Sequence, residues 1–239
     1  MTNRKSPLGF TFTETMGGYM IAGEQDYRRA EKLGRRLGER LRFVVTVSAP
    51  DLDAFLDDPS HEAVLTGTVA GSRVGGGRVA IEPGTFNLLV RDEQGRMQMR
   101  YRFSFRDRHG QRYRLEGYKD VHNDMVVDVW PDTTTLFTTL RRQDEPDEPV
   151  VATGILRIRP VDLIPQVRSM RALNARGLAD HARAVTRFNL FFAGRLLNEY
   201  LLSLFSSVGR RRLNWGTRAL PQPPSDGGKP PIPPAHTRG

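Results

Sequence analysis

The stretch RMQMRYRFSFRD, residues 96–107, decides the fold class of this chain. Apolar side chains occupy every second position, and arginine, glutamine and serine lie between them. Because successive side chains of a strand point to opposite faces, this pattern predicts antiparallel sheet with one buried and one wet face. The turn DRHG at 107–110 then leads into QRYRLEGYK, and the two strands are predicted to form a hairpin.

The same period of two continues through most of residues 9–160. It is clear in GFTFTETM near the start, in LRFVVTVS and in TFNLLVR, and further strands are predicted at AVLTGTVAG, RVAIEP, TTTLFTTLRR and VVATGILRIRP. About nine or ten short strands separated by turns indicate a closed barrel or a sandwich. Strands that follow one another in sequence favour an up-and-down barrel, so the predicted class is mainly β.

Helical spacing interrupts this pattern twice and then replaces it after Pro160. Short helices are predicted within 23–40 and 49–60, a helix capped by Asp162 and ending near Gly177, and a longer one over 179–207. The long helix carries an apolar stripe of Leu190, Leu197, Leu201, Leu204 and Val208. The predicted organisation is a barrel over 1–160, helices packed on it in the same domain over 161–210, and a disordered Pro-rich tail over 217–239.

Composition limits the chemistry that the chain can perform. Its formal charge of +9 favours anionic partners, and the absence of cysteine excludes disulfides, thiolate metal sites and thiol catalysis. The N-terminus leads into the first strand without an apolar signal core, so a cytoplasmic location is expected.

Motifs for cofactors, metals and covalent catalysis are weak. GGGRVA at 75–80 resembles a dinucleotide-binding fingerprint, but the residues after it predict a strand instead of the required helix. The five histidines show no H-x-H or H-x-x-x-H spacing, and there is no G-x-S-x-G elbow. We therefore expect no cofactor and no metal.

Two surfaces bear on macromolecular partners. Outward arginines at 100, 102, 106, 112 and 114 could form a basic patch, but the aromatic residues lie on the inward face, so nucleic acid is not an expected partner. The apolar run 188–208 contains Arg195 and Glu199, which argues against a membrane-spanning helix. Contact with a membrane surface is a minor alternative to packing on the barrel.

One carboxylate lies on a predicted buried face. Glu14 shares the inward side of the first strand with Phe12 and Met16. A lone buried carboxylate is costly, so Glu14 is expected to be neutral, paired or at the open end of the barrel, and the arginine surplus offers partners. The candidate ligand-binding residues are the inward ones of two strands together with one tryptophan: Phe12, Glu14, Met16, Met99, Tyr101, Phe103 and Trp130.

The segment 117–140 is rich in acids and hydroxyls. Asp120, Asp124, Asp128 and Asp132 accompany His122 and Trp130. They either form the rim of a pocket, with His122 as a proton-transfer group, or satisfy backbone amides in a turn-rich connection. No nucleophile and base are fixed as a pair, which favours the second interpretation.

Six motifs together resemble the β-barrel module associated with cholesterol-oxidase-like glucose–methanol–choline (GMC) oxidoreductases of bacteria. They are FTETMGGY at 12–19, GTFNLLV at 84–90, GYKDV at 117–121, DVWPDTTTLFT at 128–138, GILRIRPVD at 154–162 and RFNLFFAGRLLNEY at 187–200. The resemblance implies a stand-alone module beside flavin-dependent oxidation of sterols or similar alcohols. It transfers no catalytic residue, and the flavin-binding domain is absent from this chain.

The fold expected from both lines of reasoning is a lipocalin-like antiparallel β-barrel with C-terminal helices packed on it. The favoured function is non-enzymatic: an accessory or binding protein for a steroid- or lipid-like ligand, with a GMC-type oxidoreductase as partner. One alternative is a small isomerase or hydratase in which Glu14 shuttles a proton and Tyr101 or Asp128 polarises a carbonyl. Another is a structural docking module without a ligand.

Overall fold

Ten strands form one antiparallel sheet, and eight of them close into a barrel. The computed structural model describes residues 6–121 and 134–213. The strands are β1 (Gly9–Ile21), β2 (Arg40–Ala49), β3 (Glu62–Gly71), β4 (Arg78–Ala80), β5 (Gly84–Arg91), β6 (Met97–Arg106), β7 (Arg112–Asp120), β8 (Thr135–Arg142), β9 (Val150–Arg157) and β10 (Arg171–Leu173). The helices are α1 (Tyr27–Leu37), α2 (Leu52–Asp57), α3 (Pro160–Ser169) and α4 (Leu178–Leu213), with a short 3₁₀ turn at Ser72–Val74.

Neighbouring strands in the barrel are neighbours in sequence. The order is β1, β2, β3, β5, β6, β7, β8 and β9, and β9 pairs with β1 to close the ring. The small strand β4 pairs with β3 outside this order. The predicted mainly β, lipocalin-like, up-and-down barrel is therefore confirmed. The glycine run at 75–77 precedes the strand β4 and not a helix, as the residues after it predicted.

A helix separates the two strands, β9 and β10, that pair with the same edge of β1. β9 pairs with the second half of β1 at 17–21, and β10 pairs with its beginning at 9–11. The helix α3 lies in sequence between β9 and β10, opposite the middle of β1. The prediction of a helix that continues to Gly177 is wrong, because Arg171–Leu173 instead hydrogen-bond to the start of β1.

Inward side chains fill most of the barrel. Phe43 packs edge-to-face on Phe103 with ring centroids 5.6 Å apart, and Phe105 stacks on Tyr113 at 5.7 Å. Met16 and Met20 on β1 are buried in the same core. The inward faces predicted from the period of two are buried as expected, and this part of the interior is solid.

Helices cover the barrel from outside. The first, α1, begins at Asp26, whose carboxylate accepts from the Arg29 amide at 2.7 Å, and ends at Gly38 in the left-handed region. Ala184 and Phe188 of α4 are buried, and Phe188 stacks on Phe10 with centroids 4.0 Å apart. The predicted apolar stripe is wrong at Leu190, which is 69% exposed because it faces away from Phe188. The other stripe residues lie outside the described side chains.

The outward arginines of β6 and β7 are matched by acids and carbonyls. Arg112 binds Glu82 at 2.5 Å, Arg114 pairs with Glu148, and Arg102 lies 3.4 Å from Glu116. Arg102 and Glu116 face one another across the β6–β7 ladder, whereas Glu82 and Glu148 lie in connections between strands. Together they divide the positive charge of the predicted patch into local ion pairs. The outer face of the barrel is accordingly polar and partly neutralised.

The described residues up to Leu201 belong to one compact unit, which contains the barrel, and those from Leu202 to Leu213 belong to a second. The predicted disordered tail lies outside the described residues. Within the described ranges, every helix is too short or too polar to cross a membrane.

The buried carboxylate of Glu31 ties α1 to the barrel and makes stability depend on acid. Glu31 accepts from Arg35 at 2.9 Å and from Arg157 of β9 at 3.0 Å. Burial raises the pKa of Glu31, but Arg157 and then Arg35 outweigh it, so the pKa lies below its ordinary value. The folded state therefore binds fewer protons than the unfolded state as pH falls, and this contribution is present above the ordinary pKa and lost below it.

We expect Glu31→Gln to flatten the loss of stability between about pH 5 and pH 3 relative to wild type. Urea unfolding at stepped pH measures the slope. The exposed Glu62→Gln on β3 is the matched control and should leave the slope unchanged. Equal slopes in wild type and Glu31→Gln would contradict the assignment.

Candidate functional site

A cavity of about 240 Å³ lies between one end of the barrel and the helices α3 and α4. Its walls are mainly aliphatic and aromatic, and a few polar groups sit within them. The lining residues are Phe12, Glu14, Phe86, Leu88, Met99, Tyr101, Lys119, Thr134, Ile158, Leu163, Gln166, Val167, Met170, Phe188, Asn189 and Phe192. Val167 and Asn189 are exposed, so the cavity reaches the surface beside the two helices.

Glu14 is the centre of the polar cluster in this cavity. Lys119 Nζ and the Tyr101 hydroxyl each lie 3.1 Å from Glu14 Oε1 and donate to it. The Gln166 amide nitrogen donates to Glu14 Oε2 at 3.1 Å. Glu14 is 2% exposed and Lys119 is 1% exposed, so this is a buried ion pair with two further donors.

Burial changes the protonation chemistry of both partners of Glu14. It lowers the pKa of Lys119 below the ordinary 10.5, while the charge of Glu14 and its hydrogen bond act in the opposite direction. Burial and then the charge of Glu14 raise the pKa of the Tyr101 phenol well above its ordinary 10.0. Tyr101 is therefore a neutral hydrogen-bond donor near neutral pH.

The barrel positions these groups from three strands. Glu14 points inward from β1 because its neighbours Thr13 and Thr15 occupy the outward positions. Tyr101 comes from β6, which is diametrically opposite β1 in the ring of eight. Lys119 lies on the inward face of β7, directly across the β6–β7 ladder from Met99. Its ammonium lies 5.0 Å from the centroid of the Tyr101 ring, within the range of a cation–π contact.

The helix α3 between β9 and β10 brings Gln166 to the Glu14 carboxylate. Ser169 at the end of α3 accepts from the Thr13 amide at 2.8 Å, where a strand would otherwise pair with β1. This contact holds α3 against β1 and places Gln166 beside Glu14. The side-chain oxygen Oε1 of Gln166 is buried and has no hydrogen-bond partner among the described residues.

Four of the seven predicted ligand-binding residues line the cavity: Phe12, Glu14, Met99 and Tyr101. Met16 and Phe103 do not, because each lies one inward position further along its strand, in the solid part of the barrel. Trp130, and with it His122 and Asp128, lies outside the described residues. Binding of a ligand by these residues stays a prediction.

Two members of the cluster, Lys119 and Gln166, were not predicted. The signal for Lys119 is in the sequence, since it continues the inward series Tyr113, Leu115 and Gly117 of β7. The expected partner of Glu14 was an arginine, and the structure provides a lysine instead. Gln166 has no sequence signal, because its place depends on where α3 meets β1.

The cluster can hold a polar group and move a proton. Glu14, Lys119 and Tyr101 are linked by hydrogen bonds and open onto an apolar space, as a proton-transfer site would require. Catalysis by Glu14 stays a prediction. Among the described residues, histidine, aspartate and glutamate form no cluster of three or more that could hold a metal ion.

The chain was compared with protein-family models, curated proteins and solved structures, and none of the three comparisons gives a match. The resemblance to the GMC-associated barrel module thus stays a prediction from sequence motifs.

Proposed function

We propose that this protein binds a hydrophobic small molecule with a neutral polar end, steroid- or lipid-like in character. The observation that carries the proposal is the apolar cavity with the Glu14–Lys119–Tyr101 cluster in its wall. Ligand sites are typically apolar clefts with a few polar groups that fix the ligand's orientation.

The size of the cavity limits how much of the ligand it encloses. Its volume is about 240 Å³. A cavity of ~150 Å³ can hold benzene, and sites for drug-sized ligands have ~300–1,000 Å³. We infer that the polar end and the first ring or chain segment lie inside, and that the rest of a larger ligand extends past Val167 and Asn189.

The charge of the cluster favours a neutral ligand. Glu14 and Lys119 offset one another, so the cavity carries no net charge from this pair. A fatty-acid carboxylate would place a second negative charge beside Glu14 at low dielectric, which is unfavourable. Alcohols and carbonyl compounds fit better than acids.

The proposed physiological role is that of a non-redox accessory protein beside a GMC-type oxidoreductase. This part of the proposal is supported by the six sequence motifs, and the apolar cavity is consistent with a sterol or fatty-alcohol ligand.

Ligand-induced stabilisation tests the binding proposal. An excess of 1-decanol or cholesterol at about 100 times its Kd should stabilise the folded state by about 2.7 kcal/mol and raise Tm by roughly 5–10 °C. Decanoate should give a smaller shift than decanol. If no compound changes Tm, the chain is a docking module without a ligand and the proposal fails.

A pair of variants on α3 separates binding in the cavity from binding elsewhere. Val167 lines the cavity and is 54% exposed, whereas Ile164 is 58% exposed on the same helix and does not line it. We expect Val167→Trp to remove most of the shift caused by decanol and Ile164→Trp to retain it. Equal shifts in the two variants would place the ligand outside this cavity.

A further inference from the structure

Lys119 is a primary amine in the wall of an apolar cavity. It is 1% exposed, and among the described residues only Glu14 accepts a hydrogen bond from it. An exposed lysine is almost fully protonated at neutral pH and is a poor nucleophile. Burial works against protonation of Lys119, and lysines desolvated in this way are the ones that form imines.

We propose that Lys119 binds an aldehyde or ketone covalently, as an imine whose positive charge is balanced by Glu14. This inference rests on the proposed function and deepens it, because it names the chemical group at the polar end of the ligand. The ligand class becomes a hydrophobic carbonyl compound, such as a long-chain aldehyde or a steroid-like ketone.

The neighbours of Lys119 suit each stage of this reaction. Glu14 Oε1 lies 3.1 Å from Nζ, close enough to take the proton that frees the amine's electron pair. The Tyr101 hydroxyl also lies 3.1 Å from Glu14 Oε1, on the oxygen that Lys119 contacts. A ligand whose carbonyl carbon reaches Lys119 therefore has its carbonyl oxygen near this hydroxyl. The apolar walls formed by Phe12, Met99 and Phe188 exclude bulk water from the product.

The atoms and charges of the reaction balance without a co-reactant. Lys119 transfers one proton to Glu14, and the neutral amine attacks the carbonyl carbon, forming a C–N bond. One of the two amine protons passes to the carbonyl oxygen, which gives a carbinolamine with one N–H and one hydroxyl group. Glu14 then returns its proton to that hydroxyl group, the C–O bond breaks and water leaves. The products are a protonated imine on Lys119, a Glu14 carboxylate and one water molecule. The ion pair of the free protein is thereby regenerated with the ligand attached.

A structural ion pair is the competing interpretation, and the two differ in reactivity. A purely structural Lys119 would be less accessible than the exposed Lys32 and would react more slowly. An imine-forming Lys119 reacts faster, because burial lowers its pKa and so increases the fraction of free amine, and because the cavity holds the aldehyde beside it.

Because the chain has few lysines, the reactivity of each one can be measured on the wild-type protein. There are four lysines, at positions 5, 32, 119 and 229, and Lys32 is exposed on α1. The protein is incubated with decanal and sodium cyanoborohydride, and alkylation of each lysine is followed by peptide mass spectrometry. We expect Lys119 to be alkylated severalfold faster than Lys32. Alkylation of Lys119 at the rate of Lys32 or more slowly overturns the inference.

Two controls distinguish failure of this inference from failure of the proposed function. Decanol cannot form an imine, so a rise in Tm with decanol but no preferred alkylation of Lys119 leaves the binding proposal intact and removes the covalent step. If neither decanol nor decanal raises Tm, the binding proposal and the covalent step both fail. Lys119→Arg keeps a positive partner for Glu14 and cannot form an imine. In this variant we expect the reduced adduct at residue 119 to be lost, while alkylation of the exposed Lys32 continues at the wild-type rate.

Discussion

Lys119→Met is expected to lower the free energy of unfolding by about 3–5 kcal/mol. The substitution leaves the Glu14 carboxylate buried, with Tyr101 and Gln166 as its remaining donors and no positive charge to balance it. The cost comes from the unbalanced buried charge more than from the loss of an attraction, because desolvation offsets much of the Coulombic gain of a buried pair.

A double variant tests that explanation. Glu14→Leu with Lys119→Met replaces both charges by apolar groups of similar size, and much of the lost stability should return. Chemical denaturation of the two single variants and the double variant gives the coupling energy. Arg29→Met is the surface control, since Arg29 pairs with Glu24 at 2.8 Å and its side chain is 73% exposed. It should cost no more than about 1 kcal/mol. A similar small loss for Lys119→Met would show that the buried pair is not charged.

Gly18→Ala is expected to destabilise the barrel by about 3 kcal/mol or more, because it places an atom inside the closing seam. A Cβ at Gly18 would lie 2.0 Å from the Ile155 carbonyl oxygen, so β1 and β9 would have to separate. The obstacle is backbone, which cannot rotate away as a flexible side chain can. The ladder between β1 and β9 would therefore weaken where it closes the ring.

The adjacent glycine is the matched control. A Cβ at Gly17 would lie 3.6 Å from the Arg42 side chain and 3.8 Å from the Leu41 carbonyl oxygen, which are ordinary van der Waals contacts. Gly17→Ala should change stability by no more than about 0.5 kcal/mol. Thermal unfolding followed by circular dichroism compares the two variants under the same conditions. Equal midpoints would mean that the seam accommodates a methyl group and that Gly18 is not required there.

Local pattern was sufficient to predict most of the barrel. The alternation in β1 and β6 identified their inward faces, including the burial of Glu14, because the period of a strand is a property of the chain itself. The capped helix α1 was predictable for the same reason. Each of these features depends on residues close together in sequence.

Features that depend on distant contacts were not predicted. The helix after Pro160 was expected to reach Gly177, and only the pairing of Arg171–Leu173 with the start of β1 explains why it ends at Ser169. Leu190 was predicted to lie on the packed face of the long helix. The face of α4 that packs on the barrel is instead the one that carries Phe188, which stacks on Phe10.

In the candidate site, too, the residues identified by local pattern were predicted and those that depend on distant contacts were not. Glu14 and Tyr101 were identified because each is a polar group on an otherwise apolar face. Lys119 occupies an inward position too, but a lysine on a strand is usually expected to face solvent. Burial of Lys119 is explained by its ion pair with Glu14. That pair forms across the interior between β7 and β1, and it exists only when the barrel is closed.

The pairing of β1 with both β9 and β10 has a consequence for synthesis on the ribosome. The first strand emerges first, but one of its two edges has no partner until residues 153–173 have been made. Glu14 likewise emerges 105 residues before Lys119 and 152 residues before Gln166. During this interval the nascent chain carries an unpaired strand edge, which is a template for wrong pairing with another chain. Burying β1 in a wrong pairing would also bury the Glu14 carboxylate without Lys119, which is unfavourable. Glu14 therefore helps to keep β1 free to pair with β9 and β10 once they have been made.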